Sequence, residues 1–430
     1  MRDLIPAPAA VVRNEMQSIQ ERFRKNVIPS YSRFDLALER GEGCRVWDVN
    51  GKCYLDMGAG IAVSALGHGS PDITAALVEQ SGKLIHVSNL YYQQLQGLLA
   101  EQLTGLIGPG KIFFCNSGGE ANEGLFKLAR KFGHDEGRFE ILTAENSFHG
   151  RTLAGIAATG QAKVKKGFEP MVSGFRHVPF NDLAAARAAL SPATVAILIE
   201  GVQGEGGVRA ATAPYLLGLR QLCDEKNLLL LMDGVQCGHF RTGRFQSFQR
   251  ILEEAGGAEG AKFLPDGVAM AKGLGGGMPI GAFWVRAPHA DLLEAGTHGS
   301  TFGGGPLACA VALRVLQVIE RDGLAANARA VGNFLLAELG RVAEKYPSVV
   351  RQVRGLGLMI GVELAEKIAA FGASDKAAAI QFINALHEAG LLAVPAGSKV
   401  IRLLPPLILS RAEAAEAASR IESVVAELSV

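Results

Sequence analysis

Two segments, 195–200 (VAILIE) and 228–233 (LLLLMD), are apolar at nearly every position. A strand with one face in water alternates apolar and polar residues. Strands this uniformly apolar must be covered on both faces, the condition of a mostly parallel sheet lying between helices. Residues 111–115 (KIFFC) and 139–143 (FEILT) read as further strands, and 214–226 as a helix between the two apolar runs. From Glu120 the chain reads as a helix whose Ala121, Leu125, Leu128, Ala129 and Phe132 share one face. This alternation runs from about residue 70 to about residue 310. In such sheets ligands are held at the carboxyl ends of the strands.

The flanks read differently. Residues 1–40 are expected to form an irregular arm with some helical pattern, followed by a turn at 40–43. CRVWDVNGKCYLDM (44–57) predicts a hairpin about Asn50-Gly51, a dipeptide suited to its turn. From about 311 the pattern becomes helix, helix (325–345), strand-like VRGLGLMIGVEL, helix (376–389), strand-like VIRLLPPL and a last helix (411–428). The expected organisation is an arm and hairpin over 1–65 that belong with a smaller domain, a large domain over 66–312, and a small α+β domain over 313–430.

Charge narrows the function. Lys and Arg number 43 against 42 Asp and Glu, so no bulk field draws the chain to nucleic acid or an anionic membrane, and small-molecule chemistry is the easier expectation. The opening MRDLIPAPAAVVRNEM does not resemble a signal peptide, and no apolar run reaches the ~18 residues of a membrane span. The six cysteines, at 44, 53, 115, 223, 237 and 309, lack CxxC spacing. Free thiols in a reducing cytoplasm are expected rather than disulfides or a metal site.

Several stretches carry chemistry. Lys272 lies in MAKGLGGGMP. A lysine is ordinarily a solvated surface charge. Among apolar and glycine residues it can be partly desolvated, which lowers its pKa and leaves an amine able to form a Schiff base. Asp233 closes the LLLLMD run. It reads either as a cap or loop carboxylate or as the partner of a buried cation, for which a pyridinium nitrogen would serve. Ser117-Gly118-Gly119 sits between a strand and a helix, where backbone N–H groups stabilise a phosphate, although such turns are common in any α/β chain. Phe148 is core by default and a cover for a planar ring by alternative; Arg151 could fork onto a carboxylate. EGVQGEGG (200–207) is too glycine-rich and acidic for simple core, and GSTFGGG (299–305) resembles another backbone-donor loop. Arg402, inside an apolar strand, needs an acidic partner or a carboxylate ligand.

Taken in order, GIAVSALGH, NSGGEANEGLFKLAR, FHGRTL, EGVQGEGG, DGVQCGHFRTGRF, AKGLGGGMPIGA, GSTFGGGPLA and VRGLGLMIGVEL resemble the class III (ornithine-type) pyridoxal-phosphate aminotransferases over nearly the whole chain. GIAVSALGH, SNLYY and FHGRTL are closest to the acetylornithine-specific branch. The resemblance implies a fold type I transferase with a mostly parallel, seven-stranded sheet, and transfer of a terminal amino group from N-acetylornithine or a similar ω-amino acid to 2-oxoglutarate. It casts Lys272 as the cofactor-bearing lysine and proton shuttle, Asp233 as the pyridinium partner and Gln236 as the ring-hydroxyl contact. Val235 and Phe148 would cover the ring; Ser117, Gly118 and Gly119 would cradle the phosphate, with Thr301 supplied by the other subunit of a homodimer. Arg151, Ser300 and Tyr31 would contact substrate, and Arg402 would clamp a carboxylate, pairing with Glu205 when no diacid is bound. Four positions depart from the family pattern: Gly119 for a threonine, Gly201 for a proline, Gly234 for a glutamate and Gly305 for an asparagine.

Other donors on the same fold (ornithine, 4-aminobutyrate, succinyl-diaminopimelate), or an isomerase or racemase, remain alternatives. A nicotinamide dehydrogenase is a poorer one. Gly355-Leu356-Gly357 opens a near match to a dinucleotide fingerprint, but Gly361 comes one residue late and the run continues as a strand. A non-catalytic scaffold is opposed by Lys272 and Asp233.

Overall fold

The computed structural model describes residues 9–372 and 374–429. A seven-stranded sheet lies at the centre, in the order Gly110–Cys115, Gly281–Arg286, Gly267–Met270, Leu229–Asp233, Thr194–Glu200, Glu140–Ala144, Phe175–Val178. All pairings are parallel except those of Gly281–Arg286, which is antiparallel to both neighbours. Six carboxyl ends therefore meet along one edge of the sheet.

The two apolar runs sit in the middle of this sheet, buried on both faces as their composition requires. Leu229 and Leu231 face one apolar cluster; Leu230 and Met232 face another. Helix Gly118–Phe132 covers the first face with Ala121, Leu125, Leu128 and Ala129, while Ala213–Lys226 and Gln94–Ile107 cover the second with Leu216, Leu219, Leu99 and Leu103. A Leu to Ala truncation at such a fully buried position costs about 2–5 kcal/mol, so the floor carrying the strand ends is stiff.

The flanking segments form a third apolar cluster that joins residues 44–76 to residues 311–425. The hairpin about Asn50-Gly51 pairs Arg45–Asp48 with Cys53–Asp56, and Gly51 has φ +78°. Leu391–Leu392 then adds parallel to Cys53–Asp56, tying the start of the chain to its end. A four-stranded antiparallel sheet orders Val350–Leu356, Met359–Leu364, Val400–Leu403 and Val394–Ala396, and Arg402 lies on its third strand. The stretch VRGLGLMIGVEL spans the hairpin turn between the first two of these strands. The expected turn at 40–43 is instead largely an edge strand, Leu38–Glu42, and the chain reverses at Gly43 with φ +55°. The arm contains the helix Ala9–Asn26, and the helix expected from 311 starts earlier, at Pro306. No helix among the described residues is long and apolar enough to cross a membrane.

Candidate active site

A cavity of about 320 Å³ opens at the carboxyl edge of the central sheet, lined by residues from the loops that leave its strands. Ser117, Gly118, Gly119, Phe148, Glu205, Asp233, Val235, Gln236 and Lys272, nine of the residues singled out in the sequence, line it together.

The helix after Gly110–Cys115 opens at Gly118, two residues before the expected Glu120, because Ser117 caps it. Ser117 has extended backbone and its Oγ accepts the Glu120 N–H at 3.2 Å. The Glu120 carboxylate closes the turn by accepting Ser117 Oγ–H at 2.9 Å and Asn116 N–H at 3.0 Å. The N–H groups of Gly118 and Gly119 stand in the first turn, where a helix has no carbonyl for them. A side chain at Gly118 would put its Cβ 2.6 Å from Val235 Cγ1, so glycine is what lets the loop after Asp233 close against this helix end.

Asp233 is buried and held by three donors. Its Oδ2 accepts Asn122 Nδ2 at 2.7 Å and His149 Nδ1 at 2.9 Å, and its Oδ1 accepts the Val235 N–H at 3.0 Å. The carboxylate partner assigns the His149 proton to Nδ1; Nε2 is buried without a partner. Among the described residues no lysine or arginine pairs with Asp233, and its one ring partner is His149. Glu200 lies close by, accepting the N–H groups of Phe148 and Gly204 at 3.2 Å each. Burial, with the Asp233 charge adding, pushes its carboxyl up from the ordinary range.

Lys272 follows the strand Gly267–Met270. Its φ of +47° is a left-handed conformation that a residue with a Cβ seldom holds, and strain of this kind collects at functional sites. The side chain is half-buried, lining the cavity. Burial first, and the Arg402 charge second, bring its pKa down to about 8, against the opposing pull of Glu205, Asp233 and Glu200.

Arg402 is 1% exposed, and its partner is Glu205, whose Oε1 lies 2.8 Å from Nη2. The other guanidinium branch donates to Gln236 Oε1 at 2.7 Å, and Nη2 also reaches Pro395 O at 3.2 Å. The unpaired-arginine problem posed by the sequence is thus met by an acidic residue from the glycine-rich loop.

Four singled-out residues stand apart from the cavity. The Arg151 guanidinium packs 5.6 Å from the Phe148 ring centroid, on the exposed side. Ser300 accepts Asn116 Nδ2 at 3.2 Å and the Gly303 N–H at 3.0 Å, so it braces the cavity wall through Asn116. Thr301 is exposed. Tyr31 is 74% exposed and lines a separate cavity with His68 and His387. Sequence reasoning gave no role to Asn122, His149 or Glu200. Asn122 had a signal: it falls in the apolar period Asn122, Leu125, Ala129 of its helix.

The four departures have different surroundings. A Cβ at Gly234 would meet Gln246 Oε1 at 2.1 Å, and one at Gly201 would meet Ser247 Oγ at 2.2 Å, so other side chains already fill both places. At Gly119 the nearest atom is 3.8 Å away, leaving open room beside the helix end. At Gly305 the nearest contact is the Phe302 carbonyl at 3.2 Å.

A half-buried lysine of lowered pKa, an oriented carboxylate without a lysine or arginine partner, and a helix end bare enough for a phosphate fit pyridoxal phosphate. Fold and cavity together define an aminotransferase dependent on that cofactor. The family model for class-III aminotransferases matches residues 28–425, and the chain belongs to that family. It is 47% identical over 416 residues to an acetylornithine aminotransferase of Gloeobacter violaceus, covering 96% of this chain and 99% of the relative. It is 44% identical over 409 residues to that of Myxococcus xanthus, covering 94% and 97%. Among solved structures, the ornithine aminotransferase of Toxoplasma gondii superposes with TM-score 0.87 at 29% identity, covering 98% of each chain. The N-acetylornithine aminotransferase of Stenotrophomonas maltophilia superposes with TM-score 0.77 at 35% identity, covering 92% and 97%.

Proposed function

We propose that this enzyme moves the terminal amino group of N-acetylornithine to 2-oxoglutarate, a step of arginine biosynthesis, giving a semialdehyde and glutamate. The observation that carries this reading is the Glu205–Arg402 pair at 2.8 Å, in which Glu205 lines the cavity and Arg402 is buried beside it. One site must take a terminal amine in one half-reaction and a dicarboxylate in the other. A buried arginine neutralised by a movable glutamate serves both, closed for the amine donor and open for the diacid. The two curated relatives described above support the acylated donor over free ornithine.

When bound, pyridoxal phosphate supplies a carbonyl that takes up the amino group and a ring that draws electrons from the carbon bearing it. Asp233, fixed by Asn122, His149 and the Val235 N–H, holds a proton on the ring nitrogen. Ser117, Gly118 and Gly119 would hold the phosphate at the helix end, Val235 and Phe148 would cover the ring and Gln236 would meet its hydroxyl, all of them lining the one cavity. Lys272 Nζ, already inclined to lose its proton, takes one from the reacting carbon of the donor and returns it on the far side of the transfer. Arg151, Ser300 and Tyr31 contact substrate once the site is complete.

Completion comes from a second copy of the chain. Leu90, Tyr91 and Tyr92 are exposed around a cavity they line with Ser300, Phe302 is exposed next to Thr301, and a homodimer would bury them while lending Thr301 to the partner's phosphate. Residues 1–65 and 313–430 would act as a small domain against the large domain of 66–312, in a cytoplasmic enzyme.

Steady-state kinetics of the holoenzyme with 2-oxoglutarate and four donors (N-acetylornithine, ornithine, 4-aminobutyrate, N-succinyl-diaminopimelate) test the substrate. The highest kcat/KM is expected for N-acetylornithine, and a higher value for any other overturns the donor assignment. Lys272→Ala should lower turnover by about a thousandfold or more and abolish the visible absorbance of bound cofactor. A variant that turns over at the wild-type rate removes the role of Lys272.

A further inference from the structure

Glu205 has two sides. On one it closes on Arg402; on the other it lines a separate cavity of about 460 Å³ that it shares with Lys163, Arg209, Arg354, Glu363 and Lys399. The backbone suits movement between them. Val202–Gln203 and Arg209–Ala210 pair antiparallel, so Glu205 rides in the loop that joins them, between Gly204 and Gly206. Gly207, at φ +96°, turns the chain directly after. Arg354 fixes the base of this loop by donating to Gly207 O through Nε at 2.9 Å and Nη2 at 2.6 Å.

The cations of the second cavity differ in their commitments. Arg354 pairs with Glu363, and Lys399 pairs with Glu366. Lys163 and Arg209 are exposed and enter no ion pair among the described residues. A carboxylate released from Arg402 needs new counter-charges, and these two stand around the space beside it.

We propose that the second cavity is the resting place of the Glu205 carboxylate during the dicarboxylate half-reaction, with Lys163 and Arg209 as its cationic receivers. The inference rests on reading Glu205–Arg402 as a pair that opens. Exposed ion pairs contribute weakly, which suits a switch that must return once per turnover.

Binding of glutarate, a dicarboxylate with no keto group to react, to the holoenzyme by calorimetry reads the open state without turnover. In the double variant Lys163→Gln/Arg209→Gln, the glutarate Kd should rise roughly three- to tenfold, from the loss of two exposed pairings. The single-turnover rate with N-acetylornithine, which uses the closed state, should stay within about twofold. The same double change in a Glu205→Gln background should leave the glutarate Kd unaltered, because no carboxylate remains to be received. An equal rise in both backgrounds would mean that the two cations attract the diacid itself, and no rise in either would mean that they do nothing; each result overturns the proposal. Glu205→Gln alone should tighten glutarate by freeing Arg402. If it does not, the opening pair fails as a reading, separately from the question of where the carboxylate goes.

Discussion

Asp233 and Glu205 line the same cavity, yet they are built for opposite tasks. Asp233 closes a central strand buried on both faces and has three donors fixed on its two oxygens. Glu205 sits in a loop among glycines, is 27% exposed at its side chain, and pairs with one guanidinium that also has Gln236 and Pro395 as partners. Were Glu205 to leave, as proposed, Arg402 would keep two of its hydrogen bonds. One carboxylate is thus a permanent charge and the other a replaceable one, and the difference follows from the elements that carry them. A strand end within a packed sheet has one geometry; a glycine-flanked hairpin loop has several.

The largest effect should come from removing the permanent charge. Asp233→Asn keeps the shape but, on the proposed role, would leave the ring nitrogen without its partner, and kcat should fall by up to about a thousandfold, the scale of losing one preorganised electrostatic group. Both half-reactions should fall together, since both need the same ring. Stopped-flow measurement of each half-reaction checks this. A loss confined to one half-reaction would place Asp233 with Glu205 and erase the contrast.

A smaller effect should follow from crowding the frame around Asp233 without touching it. Gly118→Ala drives a Cβ into Val235, whose N–H holds Asp233 Oδ1. Overpacking of about 1–3 kcal/mol corresponds to a rise of roughly five- to a hundredfold in the cofactor Kd, read by fluorescence titration of the ligand-free protein. Gly119→Thr, where nothing stands closer than 3.8 Å, should change that Kd by no more than about threefold in either direction. Equal effects at the two glycines would show that the helix end is looser than its packing indicates.

Much of this frame was legible in the sequence because it follows from local rules. Strands buried on both faces are written as unbroken apolar runs, and Asn50-Gly51 turns its hairpin where a left-handed glycine is needed. The missed elements obey tertiary rules. Leu38–Glu42 (LERGE) is a charged edge strand with a glycine in it, which reads as a turn until the strand Arg45–Asp48 and the side chain of His68 are placed beside it. Gly267–Met270 and Phe175–Val178 have four residues each, and only their neighbours in the sheet make them strands. At the site, nine of the residues singled out came together, whereas Asn122 and His149 lie inside the quoted stretches but their hold on Asp233 shows only once three separate elements are packed, even though Asn122 stands out as a polar residue in an apolar period. Arg151, Ser300, Thr301 and Tyr31 lie away from the cavity within one chain, and a role for them depends on a second copy or on motion.

The smallest effect tests how the two carboxylates act on the amine between them. In the role proposed for it, Lys272 must be neutral to join the cofactor aldehyde. Burial has lowered its pKa to about 8, so the neutral fraction of the ligand-free protein rises from about a tenth at pH 7 to about nine tenths at pH 9. The rate of cofactor uptake should therefore climb about tenfold across that interval and level off above it, well below the range of an ordinary lysine. Glu205 and Asp233 both raise this pKa, and Arg402 lowers it. Removing the replaceable charge in Glu205→Gln leaves Arg402 unopposed beside the amine, so the midpoint should move to lower pH. Asp233→Asn should move it the same way. A midpoint that stays put in Glu205→Gln but moves in Asp233→Asn would mean that the glutamate paired with Arg402 does not count in the field at Lys272, and that only the fixed carboxylate tunes the amine.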